Sequence, residues 1–288
     1  MIDYIKYGDT DSIMISINEF IDNNGLGDIF NSLTDDGKIS MIIDITKNIE
    51  DYVNNKIYRE LQRKCYNSPV TDFRINFKQE IIAKSALFIK KKKYAFWCVN
   101  EEGAPVDKIS IIGLEIVRSD SSEAVRIRMK DIMEMILKDA DEREILRKIS
   151  LYKKELMDVF PEEIAANIGV NNIDKYIKNG KPTKGTPWHV KGVANYRFLL
   201  KELNIEDKYE DIHEGIKARV VYIKKNRFGI DIITFLRWPK EFDNHVEIDY
   251  NIMIEKFFVK KIETLLEPMN KVGLLNGKSG IVLSTFFG

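Results

Sequence analysis

Asp9 and Asp11 stand one residue apart in the stretch KYGDTDSIMI, Lys6 to Ile15, between two runs that alternate like strands. Two hard carboxylate donors on a tight turn suit Mg²⁺, which takes one or two carboxylates and completes its shell with water and substrate phosphates. The same pattern also serves structure alone, because an aspartate side chain caps its own turn. A calcium loop of the EF-hand type is excluded. Its fifth, sixth and twelfth positions hold Ile13, Met14 and Phe20, where a ligand, a glycine and a glutamate are required.

A phosphate substrate would need cations nearby. Lys90, Lys91, Lys92 and Lys93 form an unbroken run that leads straight into Tyr94–Ala95–Phe96–Trp97. Strand alternation would turn Lys91 and Lys93 to one face and Lys90 and Lys92 to the other. A second group, Lys175, Lys178, Lys181, Lys184 and Lys191, surrounds a stretch bearing Gly and Pro, 174–191, that reads as a loop. Lysines there can contact phosphates without reading sequence, although either group also fits a solvated face. Other signals fail. Gly277–Lys278–Ser279 lacks the spacing and the strand–loop–helix context of a phosphate loop. The three histidines and two cysteines have no zinc-ligand spacing, and no Ser or Cys nucleophile signature is present.

The elements that would position these groups fall into two halves. Residues 4–7 and 13–17 read as strands around the turn Gly8–Ser12. Ile42, Ile45, Ile49, Val53, Ile57, Leu61 and Cys65 recur every three or four residues, predicting a long amphipathic helix over 40–66. Strands are expected at 73–82, 85–90, 93–99 and 107–117, with a turn at Asn100–Gly103. Beyond Arg118, Asp120 and Glu123 have capping-box spacing before a helix through Val125, Met129, Ile132, Met133 and Ile136. A second helix runs through Ile145, Ile149, Tyr152, Leu156 and Val159. Phe160–Pro161 opens a third that Gly169 would stop. A hairpin is expected at 218–223 and 230–236, then a helix from Asp249 to Glu267 halted by Pro268.

Composition bounds the class. The 288 residues are 44% hydrophobic and 31% charged, with 45 basic and 45 acidic side chains, so bulk charge argues for no polyanionic partner. Cys65 and Cys98 make no disulfide framework and fit a reducing, cytoplasmic compartment. No apolar run approaches the roughly 20 residues of a membrane span, and no signal-peptide pattern opens the chain.

Five stretches, in order along the chain, carry a resemblance. YGDTDS is similar to motif C of family B DNA polymerases, and KKKKYA to the palm motif Lys-Lys-Arg-Tyr or Lys-x-Tyr about 80 residues downstream in that family. GLEIVRSDSS resembles the passage from palm to thumb, HVKGVANYR a thumb segment of T-even bacteriophage polymerases, and LSTFFG the clamp-binding end of those enzymes. Motif A, motif B and the proofreading exonuclease, which precede motif C in the family, have no counterpart here. The resemblance therefore implies the C-terminal part of a split DNA-directed DNA polymerase that needs an N-terminal chain bearing motifs A and B. The alternative is a non-catalytic DNA- and clamp-binding accessory remnant.

The implied fold is α+β. An antiparallel palm sheet with packed helices (1–117) is followed by a mainly helical thumb with a small β hairpin and a clamp-binding tail (118–288). The implied chemistry is two-metal nucleotidyl transfer with Mg²⁺. Asp11 is the motif C metal ligand, Asp9 a weaker or supporting one, and Glu80 a holder of metal-bound water or else a solvated strand carboxylate. Lys92 and Tyr94 would grip the primer terminus, and Lys91 and Lys93 would add phosphate contacts to the DNA. His189, Lys191 and Gly192 would track the duplex backbone. Leu283, Phe286 and Phe287 would anchor on a sliding clamp. The implied partners are primer–template DNA, dNTP, the N-terminal chain and the clamp.

Overall fold

The computed structural model describes residues 4–9, 11–66, 75–114 and 121–267. The chain divides into two compact units, one of residues 1–86 with 95–110, the other of 87–94 with 111–288. It is an α+β fold with antiparallel ribbons and sheets.

In the first unit, β1 (Ile5–Gly8) and β2 (Ile13–Ile15) form an antiparallel ribbon with a bulge between Ile5 and Tyr7. The second strand is shorter than its sequence suggests, because α1 (Ile17–Asn23) starts at once, followed by α2 (Gly27–Ser32). An edge-to-face contact of Tyr4 and Phe20 at 5.9 Å and a Lys6–Glu19 ion pair at 2.6 Å tie the ribbon to α1.

Then α3 (Asp35–Tyr52), a π turn (Val53–Ile57) and α4 (Tyr58–Tyr66) continue one another. This is the long helix predicted over 40–66, begun five residues earlier. Thr34 caps it by accepting the Gly37 N–H at 3.3 Å, and Asp35 and Asp36 lie at the positive end of its dipole. Lys84, hydrogen-bonded to Asp35 at 3.0 Å, holds that carboxyl below its usual range.

The expected strand at 73–82 is a different object. Residues 75–80 make no sheet ladder and are held to the helix by side chains instead. Asn54, within the π turn, pairs with both backbone groups of Phe77 at 2.7 Å each, and the Glu50 carboxylate accepts the Gln79 N–H. From there β3 (Ile81–Lys90), β4 (Lys93–Glu101) and β5 (Ala104–Ile112) form a three-stranded sheet in that order. Glu102 and Gly103, at φ 52° and 87°, make the turn between β4 and β5.

The second unit carries a layered core. Helix α5 (Glu123–Leu137) buries Val125, Met129, Ile132 and Met133, and α6 (Glu142–Glu155) packs on it with Ile145 and Ile149. The cap of α5 is Ser122, which accepts the Val125 N–H at 3.3 Å, rather than Asp120, which lies outside the described residues. Helix α7 (Pro161–Ile164) opens at Phe160–Pro161 as expected but stops after one turn. Ala166–Gly169 then form β6, because the chain there pairs with a later strand.

A short helix, α8 (Ile173–Tyr176), leads into a small hairpin, β7 (Ile177–Lys178) and β8 (Lys181–Pro182). Helix α9 (Trp188–Glu202) follows, where the sequence had suggested a loop to 191. Strands β9 (Lys217–Tyr222) and β10 (Ile232–Phe235) form the predicted hairpin and, with β6, an antiparallel sheet in the order β10–β9–β6. Helix α9 packs on β10. The helix expected from Asp249 is α10 (Tyr250–Ile254), a π turn and α11 (Lys260–Leu266), and it buries Met253, Phe258 and Ile262. Among the described residues no helix is long and apolar enough to cross a membrane.

Candidate active site

The carboxylate pair sits where β1 turns into β2. The Asp9 N–H donates to the Ser12 carbonyl at 2.9 Å and closes the turn, while Ser16 N–H donates to Tyr4 O at 2.8 Å at the ribbon's other end. Asp9 is half-buried and Asp11 is exposed. A tight turn on a paired ribbon keeps two carboxylates within one short arc without enclosing them. Such oxygen donors, open to solvent, fit a divalent cation that shares its remaining sites with water and a phosphate.

Glu80 is exposed at the end of the segment clamped by Asn54 and Glu50. Its carbonyl accepts the Glu102 N–H at 2.7 Å, and Lys78 pairs with Glu102 at 3.6 Å. Its backbone is therefore fixed from two sides. Among the described residues no three His, Cys, Asp or Glu side chains come together as a metal cluster.

The lysine run spans a turn between the two expected strands, which corrects its reading by strand alternation. Lys90 ends β3, Lys93 begins β4, and Lys91 and Lys92 are the two loop residues, with Lys92 at φ 60°. Alternation therefore does not sort these four side chains by face. Gly113, at φ 63°, lies directly under this turn, and a β-carbon there would sit 1.9 Å from the Lys92 carbonyl oxygen. The ring of Tyr94 packs on Phe88 at 5.8 Å. Both Gly113 and this pair belong to the second unit, as does the turn itself.

His189, Lys191 and Gly192 fall in the first turns of α9 and have three different environments. The His189 carbonyl accepts the Thr234 hydroxyl at 2.6 Å. Its Nδ1 is buried without a partner among the described residues, and burial lowers the ring's pKa. Lys191 reaches Asp231 at 2.7 Å. Gly192 is buried where α9 crosses β10, and a β-carbon would meet Thr234 Oγ1 at 2.2 Å and Thr234 N at 2.7 Å. Its small size is thus explained by helix–strand contact. Of the second lysine group, Lys178 in β7 donates to the Asp174 carbonyl at 2.6 Å and Lys175 in α8 lies over the Tyr176 ring at 5.1 Å. Leu283, Phe286 and Phe287 lie outside the described residues.

Sequence reasoning missed several positioning residues. Asn54 looks like any polar residue on a helix. Trp188, stacked on Tyr222 at 6.0 Å and 7°, starts a helix whose first residue after the loop carries no capping signature.

Comparison with known proteins supplies the identity. The profile of DNA polymerase family B matches residues 4–269. The DNA-directed DNA polymerase of Enterobacteria phage T4 is 25% identical over 283 residues, 92% of this chain and 30% of that protein. That of Escherichia phage RB69 is 27% identical over 279 residues, 90% of this chain and 30% of that protein. A DNA polymerase of Thermococcus kodakarensis is 34% identical over 102 residues, 35% of this chain. The chain spans about a third of the length of its phage relatives. With a match that begins beside the carboxylate turn and runs through α11, the chain belongs to DNA polymerase family B.

Proposed function

We propose that the chain supplies the motif C half of the palm (1–117) and the thumb (118–288) of a DNA-directed DNA polymerase, and that a second polypeptide supplies motifs A and B. The observation that carries this reading is the family match over 4–269 with the Asp9–Asp11 turn at its start. Mg²⁺, when bound, would supply charge stabilisation at the phosphate undergoing transfer. Asp11, exposed at the turn, holds it together with carboxylates from the second polypeptide, and Asp9 supports the turn through its backbone bond to Ser12. Glu80, on its clamped segment, orients water near that site.

The turn Lys91–Lys92, with Lys93 and Tyr94 behind it, holds the primer terminus through phosphate contacts. His189 and Lys191 on α9 follow the duplex backbone, and Gly192 lets α9 lie close enough to β10 to aim them. The tail residues Leu283, Phe286 and Phe287 dock on a sliding clamp.

The test is reconstitution. The purified chain alone is expected to extend no primer. Mixed with the polypeptide of the same source that carries motifs A and B, it is expected to show Mg²⁺-dependent extension. Robust extension by the chain alone would overturn the division of the site. DNA binding with no extension under any mixture would favour an accessory role.

A further inference from the structure

The end of α6, helix α10 and the π turn after it border an open groove of about 540 Å³ that contains none of the candidate site residues. Ile254 and Val259, both buried, form its floor. Met157 just past α6 and Ile252 on α10, each 39% exposed, are its apolar walls. Those walls are held in place. The Tyr250 hydroxyl donates to the Val159 carbonyl at 2.7 Å, and the Tyr152 ring packs edge-on against Phe258 at 6.4 Å. Glu255–Val259 wind as a π turn, and the groove lies along it. Single π turns within an α-helix recur at functional sites.

The rim is cationic. Lys153, Lys256 and Lys260 line it with a single carboxylate, Glu255. Lys256 donates to the Tyr222 hydroxyl at 3.0 Å and lies over that ring at 4.1 Å. The ammonium groups of Lys153 and Lys260 have neither a hydrogen bond nor an ion pair among the described residues. Lys148, one turn earlier on α6, is different, for it pairs with Asp131 at 3.5 Å. An apolar floor under two unpaired cations suits a ligand that carries apolar anchors and negative charge together. A nucleic-acid backbone supplies the charge but no apolar group for Ile254 and Val259. A purely apolar segment would leave the lysines unanswered.

We propose that this groove binds an acidic peptide segment of a partner protein. One or two large apolar side chains of that segment settle between Met157 and Ile252, and its carboxylates meet Lys153 and Lys260. An apolar centre inside a polar rim is the usual anatomy of a protein interface. The anchors supply affinity, and the charges steer the encounter and fix its register. Every lining residue belongs to the second unit, so binding requires no polypeptide carrying motifs A and B.

The test titrates the full chain with an array of short fluorescein-labelled peptides that vary the number and spacing of Asp or Glu and of Leu or Phe, read by anisotropy. Peptides that combine both kinds of residue are expected to bind at least about 10-fold more tightly than acid-only or apolar-only counterparts. Two variants at exposed positions, Ile252→Lys and Lys260→Glu, should each melt like wild type and weaken that binding by about 10-fold. Lys260→Glu should also flatten its salt dependence. Hydrogen exchange should slow across 251–260 when the peptide is added. Acid-only peptides that bind as well as the mixed ones, binding that neither variant changes, or no binding by any member of the array would overturn the inference. Protection of 251–260 by duplex DNA but by no peptide would overturn it by assigning the groove to nucleic acid. A dimer dissolved by Ile252→Lys would overturn it by assigning the groove to a second copy of this chain.

Discussion

Asp9 and Asp11 are of one type but occupy unlike positions. Asp9 is half-buried and its N–H closes the turn onto Ser12, whereas Asp11 stands exposed beyond it. A ligand must be reachable, and a turn-former need not be. In the reconstituted enzyme, Asp11→Ala is expected to slow nucleotide addition by about 10³-fold or more, since metal electrostatics supplies several kcal/mol. Asp9→Ala should cost less, and DNA affinity should hardly change in either. Rapid-quench rates with binding titrations decide the order, and the reverse order would refute the assignment. His189 offers a second test at this scale. Burial lowers its folded pKa below the ordinary 6.5, so the unfolded chain binds the extra proton more readily. The sign follows: the neutral ring's contribution is complete above 6.5 and declines as pH falls through the window below it. Melting temperature should therefore drop more between pH 7.5 and about 5.5 for wild type than for His189→Gln. Equal drops would show that this ring carries no part of the acid sensitivity.

Elements were legible where one face alone is apolar, and obscure where packing comes from more than one side. The helix through Ile42–Leu61 announces itself by spacing because it presents a single stripe. Helix α9 does not, since Val190, Gly192, Val193, Ala194, Tyr196, Leu199 and Leu200 are all buried and wrap most of its circumference. Its N-cap is Pro187, which offers no side-chain acceptor, so no boundary signal marks it. The four lysines were not sorted by alternation for another reason: Lys91 and Lys92 are the two loop residues that the expected strands 85–90 and 93–99 leave between them, so no single strand fixes their faces. The acidic turn was readable because Gly and Asp favour turns by their own chemistry. Tight contacts remain invisible in sequence, and Gly192 is one such case. Gly192→Ala forces a methyl onto Thr234 and should cost about 1–3 kcal/mol through overpacking of α9 on β10. Thermal melting measures it, and a paired Thr234→Ala change should return part of the loss by removing the hydroxyl in the way. An alanine variant as stable as wild type would mean that α9 and β10 have room to separate.

At the scale of the whole molecule, the two units differ in how their apolar residues are used. The second unit buries side chains from every layer: Val125, Met129 and Ile149 in the helical part, then Val193, Val220, Ile233, Phe235 and Phe242 around the sheet. The first buries a handful, and its ribbon is two-stranded, an arrangement of marginal stability by itself. Composition conceals this contrast, because isoleucines fill α3–α4 as densely as any core element and only their incomplete burial sets them apart. Ordering backbone costs about 1–2 kcal/mol per residue, and burial must offset it locally if a unit is to stand alone. The isolated chain is therefore expected to unfold in two steps. In urea, a first transition with a small slope should melt residues 4–66, and a second, steeper one should melt α9 and the β10–β9–β6 sheet, since the slope follows the surface exposed. Peptide-resolved hydrogen exchange identifies which residues open first. Adding the complementary polypeptide should raise only the first transition, because a partner that binds the folded form stabilises what it touches. A single transition, coincident by every probe and with uniform protection along the chain, would sink this account, for it would mean that the first unit draws its stability from contacts other than those it buries itself.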